Sequence, residues 1–401
     1  MENRIYIAII VAGGKGRRMK MAKAKQLLPY KGDTVIEKAL EPFAGHEMIN
    51  SIILVIPESA DKDLYLNAAK RAVKFSEHRL TIVRGGKERG DSVFNGLITA
   101  EKICKKEGFP QNKTYVLIHD GARPEITKDI ISRNIEMLEE NDAVCTAIPA
   151  TDSMRIISDS GLNSEKIYPI INSKVLERRR VLNVQTPQSF RLDRIISAYR
   201  IAKDAGYNGT DDASVAEYAG MKVAIAKGDY ANIKITTRKD LPMEIRMGNG
   251  YDVHRLVPGK SLILCGVPVP SRKGLLGHSD ADVATHAIMD AILGATAKGD
   301  IGKLFPDSDE RYKGISSLKL LSRLMEEMND INVANIDVTI IAERPKLSPY
   351  TNQMREKIAG TLGISKDKVS IKATTTEGLG FAGREEGIAA IATCVIEGRF
   401  Q

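Results

Sequence analysis

At 401 residues the chain exceeds what one hydrophobic core usually supports, so two domains are expected. With 43% hydrophobic and 27% charged residues it has the composition of an ordinary soluble protein, and no stretch is long enough to span a bilayer, which argues against a membrane protein. The net charge of +8 is spread along the chain and several basic residues fall in glycine-rich loops, so small phosphorylated substrates explain it at least as well as nucleic acid. Cys104, Cys145, Cys265 and Cys394 stand far apart with no CxxC pair, which points to a reducing, cytoplasmic compartment. The apolar run from Ile5 to Ala12 is too short for a secretory signal.

In chain order, Ile5 to Val11 is a continuous β-branched run, the pattern of a parallel strand buried on both faces. The glycine-rich stretch Ala12-Gly-Gly-Lys-Gly-Arg-Arg-Met19 follows, with Lys23 and Lys25 beyond it. Its spacing is neither that of GxGxxG nor of a Walker loop, and taken alone it is a tight turn or a phosphate cradle. Strands at 51–56, 80–83 and 115–119 alternate with helices at 59–75 and 91–106, which predicts an open, mostly parallel α/β sheet. The polar loops at 12–19, 85–92 and 120–124 then share the carboxyl edge of that sheet, where such folds bind ligands. Asp211-Asp212 before Ala-Ser-Val-Ala reads as a helix N-cap. Residues 236–246 are charged and lack a Gly/Ser linker, so the join between domains is short, with a helix expected over 241–246.

In the second half, Asp252 and His254 alternate in Gly250-Tyr-Asp-Val-His254, so on a strand they share one face. Val283, His286, Ala287 and Asp290 fit a helix that can aim His286 at the same point. Two imidazoles and a carboxylate with an open position suit catalytic zinc; the alternative from spacing alone is a polar turn and a core histidine. An acidic loop at 300–309, an amphipathic helix at 315–329 and strands at 331–342 and 386–396 imply an α+β domain with helices on one face of the sheet. Thr374, Thr375 and Thr376 read as strand residues unless the surrounding block carries chemistry.

The runs AGGKGRRM, AKQLL, GGKERGDSV, HDGARP, TPQSF and Ala231-Asn-Ile-Lys234 resemble the 2-C-methyl-D-erythritol 4-phosphate cytidylyltransferase family over residues 4–240. The resemblance implies a Rossmann-like nucleotidyltransferase sheet in which Arg18 and Lys25 stabilise charge on the α-phosphate of CTP. Arg178 and Lys234 would position methylerythritol phosphate, with Asp120, Arg123, Ser153 and Thr186 lining its site. Ala12, Gly13 and Ser92 would contact the nucleotide, and Mg2+ would bridge the triphosphate. Lys87 replaces an acidic residue of some relatives, Ser153 stands where threonine is expected, and choosing Arg178 from Arg178-Arg-Arg180 rests on counting back from Thr186-Pro-Gln188.

The runs GYDVHRL, GLLGHSDADVATHAIMDAILGA, GDIGKLFPDSD and KATTTEGLGFAGREEGIAA resemble the 2-C-methyl-D-erythritol 2,4-cyclodiphosphate synthase family over almost everything after residue 245. By that resemblance Asp252, His254 and His286 hold Zn2+ or another divalent transition metal. His278 and Thr375 stabilise the transition state, and Glu377 ligates Mg2+ between two phosphates. Phe381 and Arg384 contact the diphosphate, Asp307 and its neighbours Asp300 and Gly302 bind the erythritol, and Ser279, Thr374 and Thr376 complete the substrate site. The domain would be trimeric with sites between subunits.

Together these readings predict a two-domain enzyme, 1–242 and 243–401, of the non-mevalonate isoprenoid pathway. The first domain would make CDP-methylerythritol with release of pyrophosphate. The second would cyclise CDP-methylerythritol 2-phosphate with release of CMP. The two steps are not consecutive, so a separate kinase is implied. Partners are otherwise small molecules and copies of the chain, with no nucleic acid and no membrane. The alternative is a sugar-phosphate nucleotidyltransferase joined to a non-catalytic metal-binding domain.

Overall fold

The computed structural model describes residues 4–13, 24–73, 79–157, 173–306, 309–312, 314–328 and 331–399. They form two compact units, Met1–Pro242 and Met243–Gln401.

The first unit is built on a seven-stranded sheet. Its strands are β1 (Ile5–Val11), β2 (Ile49–Ile56), β3 (Leu80–Arg84), β4 (Thr114–Asp120), β5 (Ala143–Pro149), β6 (Leu182–Arg191) and β7 (Ala224–Lys227). They lie in the order β7-β5-β6-β4-β1-β2-β3, parallel except for β6, which runs antiparallel between β4 and β5. All seven residues of β1 are buried because alternate side chains enter two different cores. Tyr6, Ala8 and Ile10 pack with α1 (Val35–Ala44), α2 (Lys62–Val73) and α4 (Lys128–Met137). Ile5, Ile7 and Ile9 pack with α3 (Arg89–Glu107), α5 (Leu192–Asp204) and α6 (Asp212–Tyr218). Each such isoleucine contributes about 2 kcal/mol by leaving water. The register sets Val11 beside both Val55 and Asp120, so the loops after β1, β3 and β4 emerge at one edge.

The second unit has a five-stranded sheet of β8 (Glu244–Pro258), β9 (Lys273–Leu276), β10 (Ile331–Ile341), β11 (Val369–Thr374) and β12 (Gly387–Gly398), in the order β9-β8-β12-β10-β11. Only β10 and β11 pair in parallel. One core joins this sheet to α7 (Val283–Ala295), α8 (Ser317–Glu327) and α9 (Thr351–Leu362). The other face of β8 and β12 presents Ile245 and Met247, each 72% exposed, with Tyr251, Val253 and Ile391 also exposed.

The helix expected over 241–246 does not form. A 3-10 turn ends at Asp240, Leu241 is extended, and Glu244 already opens β8. Pro242 explains the difference, since a proline drives the residue before it out of the helical region.

Within β8, Gly248 and Gly250 share a face with Asp252 and His254, and α7 lies on that face. A Cβ on Gly250 would fall 2.0 Å from the Ala287 carbonyl oxygen, and one on Gly248 would fall 1.9 Å from that of Ala291. Glycine here lets helix backbone touch strand backbone, which brings His286 down to the two ligand candidates. Gly250→Ala must push the two apart, so it is expected to destabilise the second unit by about 3 kcal/mol. Thermal unfolding measures this; an unchanged melting temperature would mean that the contact tolerates a methyl group.

Candidate active sites

In the first unit Gly13, Gly85 and Ser92 converge. A Cβ on Gly13 would lie 2.8 Å from Ser92 Oγ and one on Gly85 2.6 Å, so both positions exclude a side chain. Ser92 donates to the Glu88 carbonyl at 3.0 Å and accepts from Gly86 N at 3.1 Å. Ala12 is fully buried, and its carbonyl accepts from Gln26 Nε2 at 2.8 Å. Lys25 Nζ donates to the Ile235 carbonyl at 2.9 Å, which brings Lys25 next to the segment that carries Lys234.

Asp120 sits at the centre of a cationic cluster. Lys234 Nζ is 2.8 Å from it, Arg89 Nε 3.4 Å and Arg123 Nε 3.6 Å. Burial alone would raise its pKa, but Arg89, Lys234 and Arg123 outweigh it and hold the carboxyl well below the usual range. Behind it, the Asp120 amide donates to Thr186 Oγ1 at 3.1 Å, and Thr186 Oγ1 lies 2.9 Å from His119 Nδ1. Burial pushes His119 down to about 4, so it is neutral near pH 7 and serves as a polar strut. The buried Asn232 donates to the Thr186 carbonyl at 2.9 Å, and its own carbonyl accepts from Arg123 Nη1 at 2.7 Å, which locks the Ala231–Lys234 segment onto β6.

Arg89 and Asp212 are missing from the expected site. Arg89 grips Asp212 with two bonds of 3.0 and 2.8 Å, and Tyr199 Oη donates to the same carboxylate at 2.5 Å. Of the expected N-cap pair only Asp211 caps α6, accepting from Ser214 N; Asp212 is fully buried. Nothing in the sequence pairs Arg89 with a residue 123 positions away, because the contact exists only once α3 and α6 share a core. Three cations thus face the two carboxylates Asp120 and Asp212, a surplus of positive charge before Lys25 is added.

Ser153 and Arg178 are exposed, and Arg178 Nη1 donates to the Thr151 carbonyl at 3.3 Å. Among the described residues no hydrogen bond or ion pair joins either of them to the Asp120 cluster. Arg18 and Asp307 lie outside the described residues.

In the second unit Asp252, His254 and His286 come together. Asp252 Oδ2 is 2.9 Å from His254 Nε2 and 3.1 Å from His286 Nδ1, and the two nitrogens are 3.2 Å apart. Ligands about 2.0 Å from a tetrahedral ion stand roughly 3.3 Å from one another, so this set fits one divalent ion with little movement. His254 Nδ1 lies 2.9 Å from the Leu276 carbonyl, which can only accept; that fixes the proton on Nδ1 and turns the Nε2 lone pair towards the ion. Ser279 Oγ is 3.0 Å from His286 Nε2, and His278 is exposed beside it. Asp300 caps the Ile301–Leu304 turn that contains Gly302, and Asp290 of α7 holds this turn by accepting from Ile301 N at 2.7 Å.

Thr374 ends β11, and Thr375, Thr376, Glu377, Phe381 and Arg384 follow it. Thr375 donates to Glu377 at 2.6 Å, and Glu343 accepts from the amides of Thr376 and Gly378 at 3.3 and 3.4 Å. The register aligns Thr374 with Ile341, Ala389 and Val253, so it stands level with the metal ligands but three strands away. At the usual strand spacing this is about 14 Å. Among the described residues no hydrogen bond or ion pair links the 374–384 segment to Asp252, His254 or His286.

Comparison with known proteins agrees with this division. Residues 6–245 match the family described as 2-C-methyl-D-erythritol 4-phosphate cytidylyltransferase, and residues 245–397 match the YgbB family. A bifunctional enzyme IspD/IspF of Desulforudis audaxviator is 40% identical over 400 residues, covering 97% of this chain and 96% of its own. Its counterpart in Bradyrhizobium diazoefficiens is 41% identical over 401 residues, covering 97% and 95%. The chain belongs to the bifunctional IspD/IspF family. It catalyses CTP-dependent cytidylyl transfer and cyclodiphosphate formation in the non-mevalonate pathway, as this family does. The solved bifunctional IspDF from Campylobacter jejuni is 28% identical, covers 98% of each chain and superposes with a TM-score of 0.45. Among the described residues no helix is long and apolar enough to cross a membrane.

Proposed function

We propose that the first unit works by charge alone. The methylerythritol phosphate that attacks CTP is already an anion and needs no general base, so catalysis reduces to positioning and cationic stabilisation. Lys234 and Arg178 hold its phosphate, while Asp120, Arg123, Ser153 and Thr186 line its site. Lys25, with Arg18, faces the α-phosphate of CTP. Ala12, Gly13 and Ser92 receive the nucleotide where no side chain fits. Mg2+ supplies charge neutralisation on the triphosphate when bound. The surplus of cations around buried Asp120 carries this reading.

In the second unit Asp252, His254 and His286 would hold Zn2+, for which two imidazoles and one carboxylate are a suitable donor set. Zinc, when bound, polarises a phosphoryl oxygen of the substrate. His278 and Thr375 stabilise charge at the reacting phosphates, and Glu377 ligates Mg2+. Ser279, Asp300, Gly302, Asp307, Thr374, Thr376, Phe381 and Arg384 enclose the remaining substrate. The substrate is CDP-methylerythritol 2-phosphate made by a separate kinase, and the chain's four buried, unpaired cysteines suit the reducing cytoplasm.

The distance of about 14 Å between Thr374 and the ligand strand supports a site shared between chains. A trimer completes it, with the exposed Ile245, Met247, Tyr251 and Val253 face of β8 buried between copies. Mixing inactive His286→Ala and Thr375→Ala chains under conditions that exchange subunits tests this. Each mixed interface that pairs two intact halves restores CMP release, so part of the activity returns; a mixture as inactive as its components would refute the shared site.

A further inference from the structure

His119 is fully buried in β4, directly before Asp120, with no surface left for a substrate. Its ring packs against Phe43 of α1, with 5.2 Å between ring centroids. Both ring nitrogens nevertheless bond to residues of the expected methylerythritol phosphate site. Nε2 lies 3.2 Å from the Arg123 carbonyl, and Nδ1 lies 2.9 Å from Thr186 Oγ1.

These contacts have a direction. The carbonyl of Arg123 can only accept, so Nε2 carries a hydrogen. Burial keeps the ring neutral near pH 7, and a neutral imidazole has one N–H, which leaves Nδ1 with a lone pair. The Thr186 hydroxyl therefore donates to Nδ1. The opposite tautomer would set the Nε2 lone pair against the carbonyl oxygen at 3.2 Å. Meanwhile the Thr186 oxygen accepts from the Asp120 amide at 3.1 Å. The hydroxyl's hydrogen and one of its two lone pairs are thus committed inside the protein, and a single lone pair remains.

We propose that His119, acting through Thr186, is a positioning residue that makes the Thr186 hydroxyl an acceptor, so that it pairs with a hydroxyl of methylerythritol phosphate and not with the phosphate. The inference rests on the placement of Thr186 in that substrate's site given above. An ionised phosphate offers acceptors, which suit the cations Lys234 and Arg178, whereas the erythritol hydroxyls can donate. His119→Leu removes the acceptor behind Thr186 at similar size. The freed hydroxyl proton can then turn towards the substrate, where a donor would face a donor.

Steady-state pyrophosphate release by the full chain gives kcat and both KM values for His119→Leu, Thr186→Val and the double variant. Losing one hydrogen bond should raise the KM for methylerythritol phosphate roughly 10-fold in each single variant, with smaller changes in kcat and in the KM for CTP. Because both substitutions act on the same hydroxyl, the double variant should be no worse than Thr186→Val. A general weakening of the fold would move all three constants together. His119→Asn, whose side-chain oxygen can take the place of Nδ1, should recover most of the KM lost in His119→Leu. Effects that multiply in the double variant overturn the proposal, as does an unchanged KM for methylerythritol phosphate in His119→Leu. An unchanged KM in Thr186→Val would refute the placement of Thr186 beside the substrate, and the proposal with it. If His119→Leu does not fold, His119→Asn decides: a KM close to that of the unsubstituted chain supports the relay, and one as high as that of Thr186→Val overturns it.

Discussion

His286→Ala is expected to abolish release of CMP from CDP-methylerythritol 2-phosphate while leaving release of pyrophosphate from CTP intact. The side chain supplies one of three donors lying 2.9 to 3.2 Å from one another, and its removal leaves a two-point site that cannot hold a divalent ion against water. Polarisation of the phosphoryl group by an ion contributes several kcal/mol, so the loss in rate should be roughly 10³-fold or more. The fold should survive, because the histidine is half-buried and the α7 contact is carried by Ala287 and Ala291 against Gly250 and Gly248. Metal content by atomic absorption should fall in step with activity. Full metal content with lost activity would mean that His286 works on the substrate rather than on the ion.

Lys25→Ala is expected to have the reciprocal effect. Its ammonium is held at the Ile235 carbonyl, next to the segment that carries Lys234, and there it acts as a compact point charge. Charge develops on the α-phosphate as pyrophosphate leaves, and removing one preorganised donor from such a position typically lowers turnover by roughly 10²- to 10³-fold. The loss should appear in kcat more than in the KM for methylerythritol phosphate, which on the proposed reading is bound by Lys234 and its neighbours. A rise in KM for that substrate with kcat unchanged would move Lys25 from the transition state to simple binding.

The sequence made the local devices legible. β1 could be placed because seven apolar residues in a row suit only a strand buried on both faces, and α7 because Val283, His286, Ala287 and Asp290 keep helical spacing. The pairing of Asp252 with His254 followed from alternation. What stayed hidden depends on contacts between distant segments. Arg89 meets Asp212 only after α3 and α6 pack, and Asp280 meets Ser317 across 37 residues. The break at Pro242 is legible too, since the residue before a proline resists the helix. Gly248 and Gly250 could be read as strand glycines, yet only the helix lying on them explains why a methyl group is excluded.

The central claim is that one chain carries two chemically independent sites. Its most direct test measures pyrophosphate release from CTP with methylerythritol phosphate, and CMP release from CDP-methylerythritol 2-phosphate, for the unsubstituted chain, Lys25→Ala and His286→Ala in parallel. Each substitution should silence one reaction and spare the other, and pyrophosphate release should require the acceptor. Loss of both reactions from either substitution, or CTP turnover without methylerythritol phosphate, would contradict it.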